Sequence, residues 1–167
     1  MAKRATNPYY DELPIDSPER KRLPLLLRRA WYNLNKTFRR RISHAGATPD
    51  QFTVLRTLHE GDAAGLTQSE LTRAMSSDPN TVASLLERMK NSGWIERRPH
   101  ETDRRANRIL LKSAGKRKLT QLRDIAARLQ LEILDVLPER DREKFLEQLA
   151  DIAEASLATA EDAARTK

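Results

Sequence analysis

The chain has no cysteine, only five glycines in 167 residues, and few aromatics, at 5%. The first absence removes disulfides, thiol nucleophiles, thiol redox switching and thiolate metal sites. The second goes with a lack of any G-x-G-x-x-G or Walker pattern in which backbone amides would cradle a phosphate. No apolar run reaches the roughly 18 residues a membrane span needs. The polar start, MAKRATNPYYDELPIDSPER, lacks the apolar core of a secretory signal. These features read as a cytoplasmic protein without a membrane partner. His44, His59 and His100 lie far apart with no i, i+4 pairing, so no metal and no cofactor is expected. Nothing in the chain asks for catalysis.

Positive charge is what the chain has in excess. Lys+Arg number 31 against 24 Asp+Glu, a net charge of +7, with a sequence pI of about 10.0. That balance favours an anionic partner, of which nucleic acid is the commonest. The length fits one domain, or one domain with a helical appendage that makes a partner interface.

Along the chain, residues 1–23 form an N-terminal extension. Within it Ser17-Pro18-Glu19 carries helix-start chemistry, and Pro24 kinks or restarts the segment. Leu27, Trp31, Leu34, Phe38 and Ile42 then fall on one face of a helix ending near Gly46. Thr48-Pro49-Asp50-Gln51 is a capping box opening a second helix, with Phe52, Leu55 and Leu58 inside and Gly61 as the stop. Thr67 and Glu70 form another capping box, flanked by Leu66 and Leu71 at hydrophobic-staple positions. That third helix ends at about Met75 or Ser76, and Asp78-Pro79 caps a fourth almost at once. Two capped helices across so short a turn are the helix-turn-helix arrangement.

The fourth helix has a core stripe of Val82, Leu85, Leu86 and Met89. Its other side carries Asn80, Thr81, Ser84, Arg88 and Asn91, mostly short groups able to donate or accept hydrogen bonds. A helix reads base edges in the major groove only if its leading face is small and polar. An ordinary amphipathic surface helix would also be polar outside, so the context decides. That context is a strand-like pair, Trp94–Arg98 and Asn107–Leu111, joined by an arginine-rich tip. Extended arginines at a hairpin tip suit the minor groove, where narrow A·T-rich segments concentrate negative potential. Asp103 beside Arg104 and Arg105 can fix a guanidinium's direction; a solvated loop with a local ion pair is the plainer alternative. Arg98, Arg104, Arg105 and Arg108 are the candidate wing cations.

From Ser113, apolar positions Leu119, Leu122, Ala126, Leu129, Ile133 and Val136 recur at intervals of 3 and 4, the signature of helix-to-helix packing. Pro138 breaks the run, and a last helix carries Phe145, Leu149, Ile152 and Leu157. So apolar a pair outside the basic module points to dimerisation, to closure on the N-terminal helix, or to both. Residues 24–46 and 113–160 are therefore read as a helical dimerisation region, 47–112 as a winged helix-turn-helix, and 161–167 as a frayed end. The expected fold is mainly α, six helices plus a two-stranded hairpin.

The stretch "LTQSELTRAMSSDPNTVASLLERMKNSGWIERRPHETDRRANRILLKSAGK" resembles the MarR (multiple antibiotic resistance regulator) family of winged helix-turn-helix repressors, within a similarity running over about residues 24 to 160. The resemblance implies a homodimer held by N- and C-terminal helices that binds a pseudo-palindromic operator in double-stranded DNA. It implies that Asp78, Pro79, Asn80, Thr81, Ser84 and Arg88 lie on the groove-reading helix. Thr67, Gln68 and Ser69 would contact phosphate, and Arg105 would enter the minor groove with Asp103 orienting it. Many family members release DNA on binding a small aromatic anion, and Arg28, Trp31, Tyr32 and His44 are the candidates to line such a pocket here. Two readings of another class stay open: a non-specific architectural DNA-binding protein, and a module whose basic wing meets an acidic protein.

Overall fold

The computed structural model describes residues 17, 21–102 and 106–165. The N-terminal arm of residues 1–16 and the helix start at Pro18-Glu19 lie outside them, as do Asp103, Arg104 and Arg105. The elements run α1 (Leu23–Ile42), a 3-10 turn (Ser43–Ala45), α2 (Pro49–Glu60), β1 (Leu66–Thr67), α3 (Gln68–Ala74), α4 (Pro79–Asn91), β2 (Ile95–Pro99), β3 (Asn107–Leu111), α5 (Ser113–Leu134) and α6 (Glu139–Arg165). This is a mainly helical chain with a small antiparallel wing, as the periodicities anticipate.

Local chemistry explains most boundaries. Pro24 sits in the first turn of α1, where its missing N–H costs nothing, so it starts the helix rather than kinking it. Gly46, in the left-handed region at φ 63°, ends the 3-10 turn that follows. Both capping boxes form: Thr48 with Gln51 opens α2, and Thr67 with Glu70 opens α3.

The sheet departs from the expected two-stranded hairpin. It has three strands in the order β1-β3-β2, with Leu66 opposite Ile109 and Thr67 opposite Arg108. The segment read as a helix staple thus also pairs as a short strand, because the extended backbone of a capping residue is already strand-like. Gly65 makes this pairing possible. Its φ is +93°, and a Cβ there would lie 2.7 Å from the Ile109 carbonyl oxygen.

One core spans α1 to α5. Ile42, Val54, Leu55, Leu71, Val82, Leu86, Met89 and Leu122 are wholly buried, with Ile95 and Ile109 at 1% exposure. Phe38 and Phe52 meet edge to face at 5.1 Å between ring centres. The start of α5 is pressed onto the start of the wing: a Cβ on Gly115 would fall 2.2 Å from the Trp94 carbonyl oxygen. Lys118 reinforces the joint, donating to the Ala45 carbonyl at 2.7 Å with its ammonium 5.6 Å over the Trp94 ring.

The apolar stripes of the outer helices are only half used. On α1, Phe38 and Ile42 are buried, whereas Leu27, Trp31 and Leu34 are exposed. On α5, Leu119, Leu122 and Leu129 are buried and Ile133 is exposed, as is Val136 just beyond the helix. Helix α6 exposes Phe145, and its far end returns towards the helix-turn-helix, where Glu161 lies 3.7 Å from Arg73. Arg41 and Glu132 tie α1 to α5 in a two-pronged pair at 2.8 and 2.6 Å. That contact holds the Glu132 carboxyl below, and the Arg41 guanidinium above, its ordinary range.

Candidate nucleic-acid interface

Helix α4 is built to present one face. Its core stripe Val82, Leu85, Leu86 and Met89 is buried, which leaves Asn80, Thr81, Ser84, Arg88 and Asn91 exposed on the opposite side. Asp78 caps it: one carboxylate oxygen accepts from the backbone N–H groups of Asn80 at 3.0 Å and Thr81 at 2.9 Å. These bonds hold the Asp78 carboxyl below its usual range, with the contact to Thr81 contributing most. Asp78 is thus committed to fixing where α4 begins, and the exposed side chains behind it are free to face a groove.

Helix α3 is held in register with α4 by Gln68, whose amide donates to the Pro79 carbonyl at 3.4 Å. Thr67 accepts from the Glu70 N–H at 3.2 Å, while the Glu70 carboxylate accepts from the Thr67 N–H at 2.6 Å and its hydroxyl at 2.8 Å. The Glu70 carboxyl is lowered mainly by these bonds, with smaller contributions from Arg108 and His100. Thr67 is therefore a cap, and Ser69 is the exposed hydroxyl beside it. Between the helices Ser76 takes a left-handed φ of 46°, rare for a residue with a Cβ.

The wing arginines divide. Arg98 is exposed and pairs with Glu96 on its own strand. Arg97 points towards Glu87 of α4 at 3.4 Å. Arg108 is tucked in, its side chain 18% exposed, donating to Glu101 and to the Gly65 carbonyl, both at 2.9 Å. Charge density groups Arg108 with the wing cations, and the structure gives it a different environment. Glu101, His100 and Gly65 around it were not singled out from sequence. The signal was present in the register, since an arginine opposite Arg98 on a central strand asks for a counter-charge.

Of the four effector candidates, Arg28 and Tyr32 come together. They line an open hollow of about 850 Å³ on α1 with Arg22, Leu25, Leu26, Arg29 and Asn33. Trp31 is exposed on the same helix but does not line it, and His44 stands on the 3-10 turn beyond the helix end. Twelve residues separate it from Tyr32, roughly 18 Å at helical rise. Among the described residues no helix is long and apolar enough to cross a membrane.

A short capped helix, a tight turn, a second capped helix and an adjoining antiparallel hairpin define a winged helix-turn-helix. Residues 47–106, which carry both helices of that motif and the first strand of the hairpin, match the MarR family. Over those residues the chain is similar to that family. The HTH-type transcriptional regulator PecS of Dickeya dadantii (strain 3937) is 33% identical over 95 residues, covering 56% of this chain and 53% of PecS. The chain thus spans about half the length of that curated relative. In three dimensions it is similar to the S. aureus MepR–DNA complex, with a TM-score of 0.72 at 20% identity over 81% of this chain and 99% of MepR. It is also similar to the transcriptional repressor CouR bound to a 23-mer DNA duplex, with a TM-score of 0.70 at 25% identity over 79% of this chain and 92% of CouR.

Proposed function

We propose that the protein is a sequence-specific DNA-binding transcriptional regulator, a repressor that acts as a homodimer on a pseudo-palindromic operator. The observation that carries this reading is the exposed face of α4, where Asn80, Thr81, Ser84 and Arg88 stand clear of the core on a rigidly capped helix. Short polar groups reach base edges, and Arg88 supplies the charged contact further along. Gln68 and Ser69 at the start of α3 take the phosphate backbone, and the wing, with Arg98, Arg104 and Arg105 and with Asp103 beside them, lies along the adjacent minor groove. A second copy covers the exposed apolar stripe of α1, α5 and α6 and sets two α4 helices about one DNA turn, roughly 34 Å, apart.

The hollow on α1 supports a ligand-responsive regulator released by a small aromatic or phenolic anion. Arg28 supplies charge and Tyr32 a ring at its wall. The fold neighbour CouR from Rhodococcus jostii RHA1 has a structure bound to p-coumaroyl-CoA. An effector placed there shifts DNA affinity only by as much as it prefers the non-binding arrangement of the two heads.

The test is a titration against DNA from upstream of the protein's own gene and against scrambled DNA of equal length, at two salt concentrations. Tight binding to the first that survives the higher salt supports the regulator. Equal affinity for both that collapses with salt supports the architectural reading, in which lysines and arginines meet phosphates without base readout.

A further inference from the structure

Arg108 is an odd residue for its place. It sits on the central strand of the wing sheet, between Thr67 on β1 and Arg98 on β2. Like charges directly opposite each other weaken a sheet, so strand pairing alone does not account for it. Nor does its exposure suit a phosphate contact: the Arg108 side chain is 18% exposed, against 65% for Arg98.

We propose that Arg108 is a positioning residue, which with Glu101 and the Gly65 carbonyl clasps the base of the wing loop to the α2–β1 connection and so sets where the wing stands relative to α4. This rests on the DNA-binding reading above. The guanidinium is a flat fork whose donors leave at fixed angles. Here Nε is taken by Glu101, seven residues upstream at the start of the wing loop, and Nη1 by Gly65, 43 residues upstream. One side chain therefore bridges the two segments.

The acceptors are themselves fixed. Gly65 cannot retreat, since its backbone is packed against Ile109 and Leu110. The start of the wing loop, where Glu101 stands, is held by its backbone: the His100 backbone N–H donates across the loop to the Ala106 carbonyl at 3.2 Å, and the Thr102 N–H donates to His100 Nδ1 at 3.3 Å. The cluster reaches the helix-turn-helix as well. The bond to Glu101 raises the Arg108 guanidinium above its ordinary range, and the charges of Glu101, Asp62 and Glu70 add to it. Glu70 closes the capping box of α3, so the charge of Arg108 is also felt at the start of that helix.

The discriminating variant is Glu101→Ala, because the two roles for Arg108 predict opposite signs. If Arg108 bound phosphate, removing its carboxylate partner would free it and strengthen binding to operator. If Arg108 positions the wing, the same change loosens the wing. The readout is the ratio of operator to scrambled-DNA affinity, in which the general effect of losing one negative charge cancels. Glu101→Ala and Arg108→Ala are each expected to lower that ratio by roughly tenfold, and the double variant by no more than either alone. Glu101→Gln, which keeps an acceptor oxygen, is expected to recover most of the loss. A ratio unchanged or raised in Glu101→Ala overturns the proposal. Amide exchange in the free protein is the companion measurement: β2 and β3 should exchange about tenfold faster in Glu101→Ala while α1 and α5 stay as they were. Unchanged wing exchange also overturns it. Should the unaltered protein fail to distinguish operator from scrambled DNA, the DNA-binding reading falls, and exchange alone decides the clasp.

Discussion

The reading head and the outer helices use the same kind of sequence and come to different ends. In the head, apolar residues at helical or alternating spacing are covered by the chain itself: Leu55, Leu71, Leu86 and Met89 have no exposed surface, and Ile95 and Ile109 have 1% each. In the outer helices the same spacing leaves Leu27 38%, Trp31 63%, Ile133 44% and Val136 85% exposed. A periodic stripe says that a helix face will be covered and is silent on which chain covers it. Contiguous apolar surface on that scale marks an interface. The head is complete in one chain, and the frame leaves a face that the proposed second copy would cover.

If that contrast is real, the largest effects belong to the head's internal joints. Gly115→Ala puts a methyl where the Trp94 carbonyl oxygen stands 2.2 Å away, backbone against backbone. The start of α5 would have to lift from the wing. The expected loss is on the order of 3 kcal/mol, read from denaturant unfolding. A loss under about 1 kcal/mol would mean that this joint is soft. In the frame, Ile133→Asp is expected to shift the protein from dimer to monomer in sedimentation at micromolar concentration, with the head's amide protection intact. If assembly is unchanged, the α5 stripe is not the interface. If the head melts as well, the two regions are not separable.

Next in size is the wing. Arg105→Ala is expected to weaken operator binding by about 1–3 kcal/mol without changing thermal stability. Equal affinity for the variant would remove the wing arginine from recognition.

The contrast also explains what was legible in the sequence. Both capping boxes and the buried face of α4 are dictated by residues three or four positions apart, and they are as expected; of the two readings of Pro24, kink or restart, the helix start is the one that holds. Strand β1 was not legible. Its two residues pair with partners 41 to 43 positions away, at Arg108 and Ile109, and Thr67 already had a local explanation as a cap. Arg108 was grouped with the wing cations because charge counting sees the guanidinium and not the carbonyl and carboxylate folded against it. Among the effector candidates, Arg28 and Tyr32 share a hollow because they lie one turn apart. Trp31 and His44 were grouped with them by chemistry, which carries no information about which side of a helix a ring occupies.

Acid should act on the head's caps in a set direction. The Glu70 and Asp78 carboxyls are held below their ordinary values of 4.5 and 3.8, chiefly by hydrogen bonds from Thr67 and Thr81 respectively. A carboxyl lowered on folding stabilises the fold above its unfolded value, and that contribution is lost as pH falls through the folded one. Thermal stability is thus expected to hold from neutrality down to about pH 5 and then to decline. The decline should be shallower in Glu70→Gln, which keeps an acceptor for the cap and removes the titration. An identical acid profile in that variant would show that the α3 cap contributes nothing to it.

The smallest expected effect is a gain. Ser76 sits in the turn between α3 and α4 at φ 46°, and its N–H donates to the Arg73 carbonyl at 3.0 Å. The left-handed conformation costs a residue with a Cβ about 1 kcal/mol, and glycine adopts it freely. Glycine also gains entropy in the unfolded chain, which takes back part of that relief. Ser76→Gly should therefore stabilise by a few tenths of a kcal/mol, up to about 1, seen as a rise of a few degrees in Tm. Because Ser76 is exposed, little packing is lost with its hydroxymethyl group. The same turn sets the angle between α3 and α4, so the informative comparison is stability against operator affinity. A stabler protein with unchanged affinity would make the strain incidental to this sequence. A stabler protein that binds less well would mean that Ser76 holds α4 at an angle the relaxed turn does not keep, and that part of the head's stability is given up for recognition.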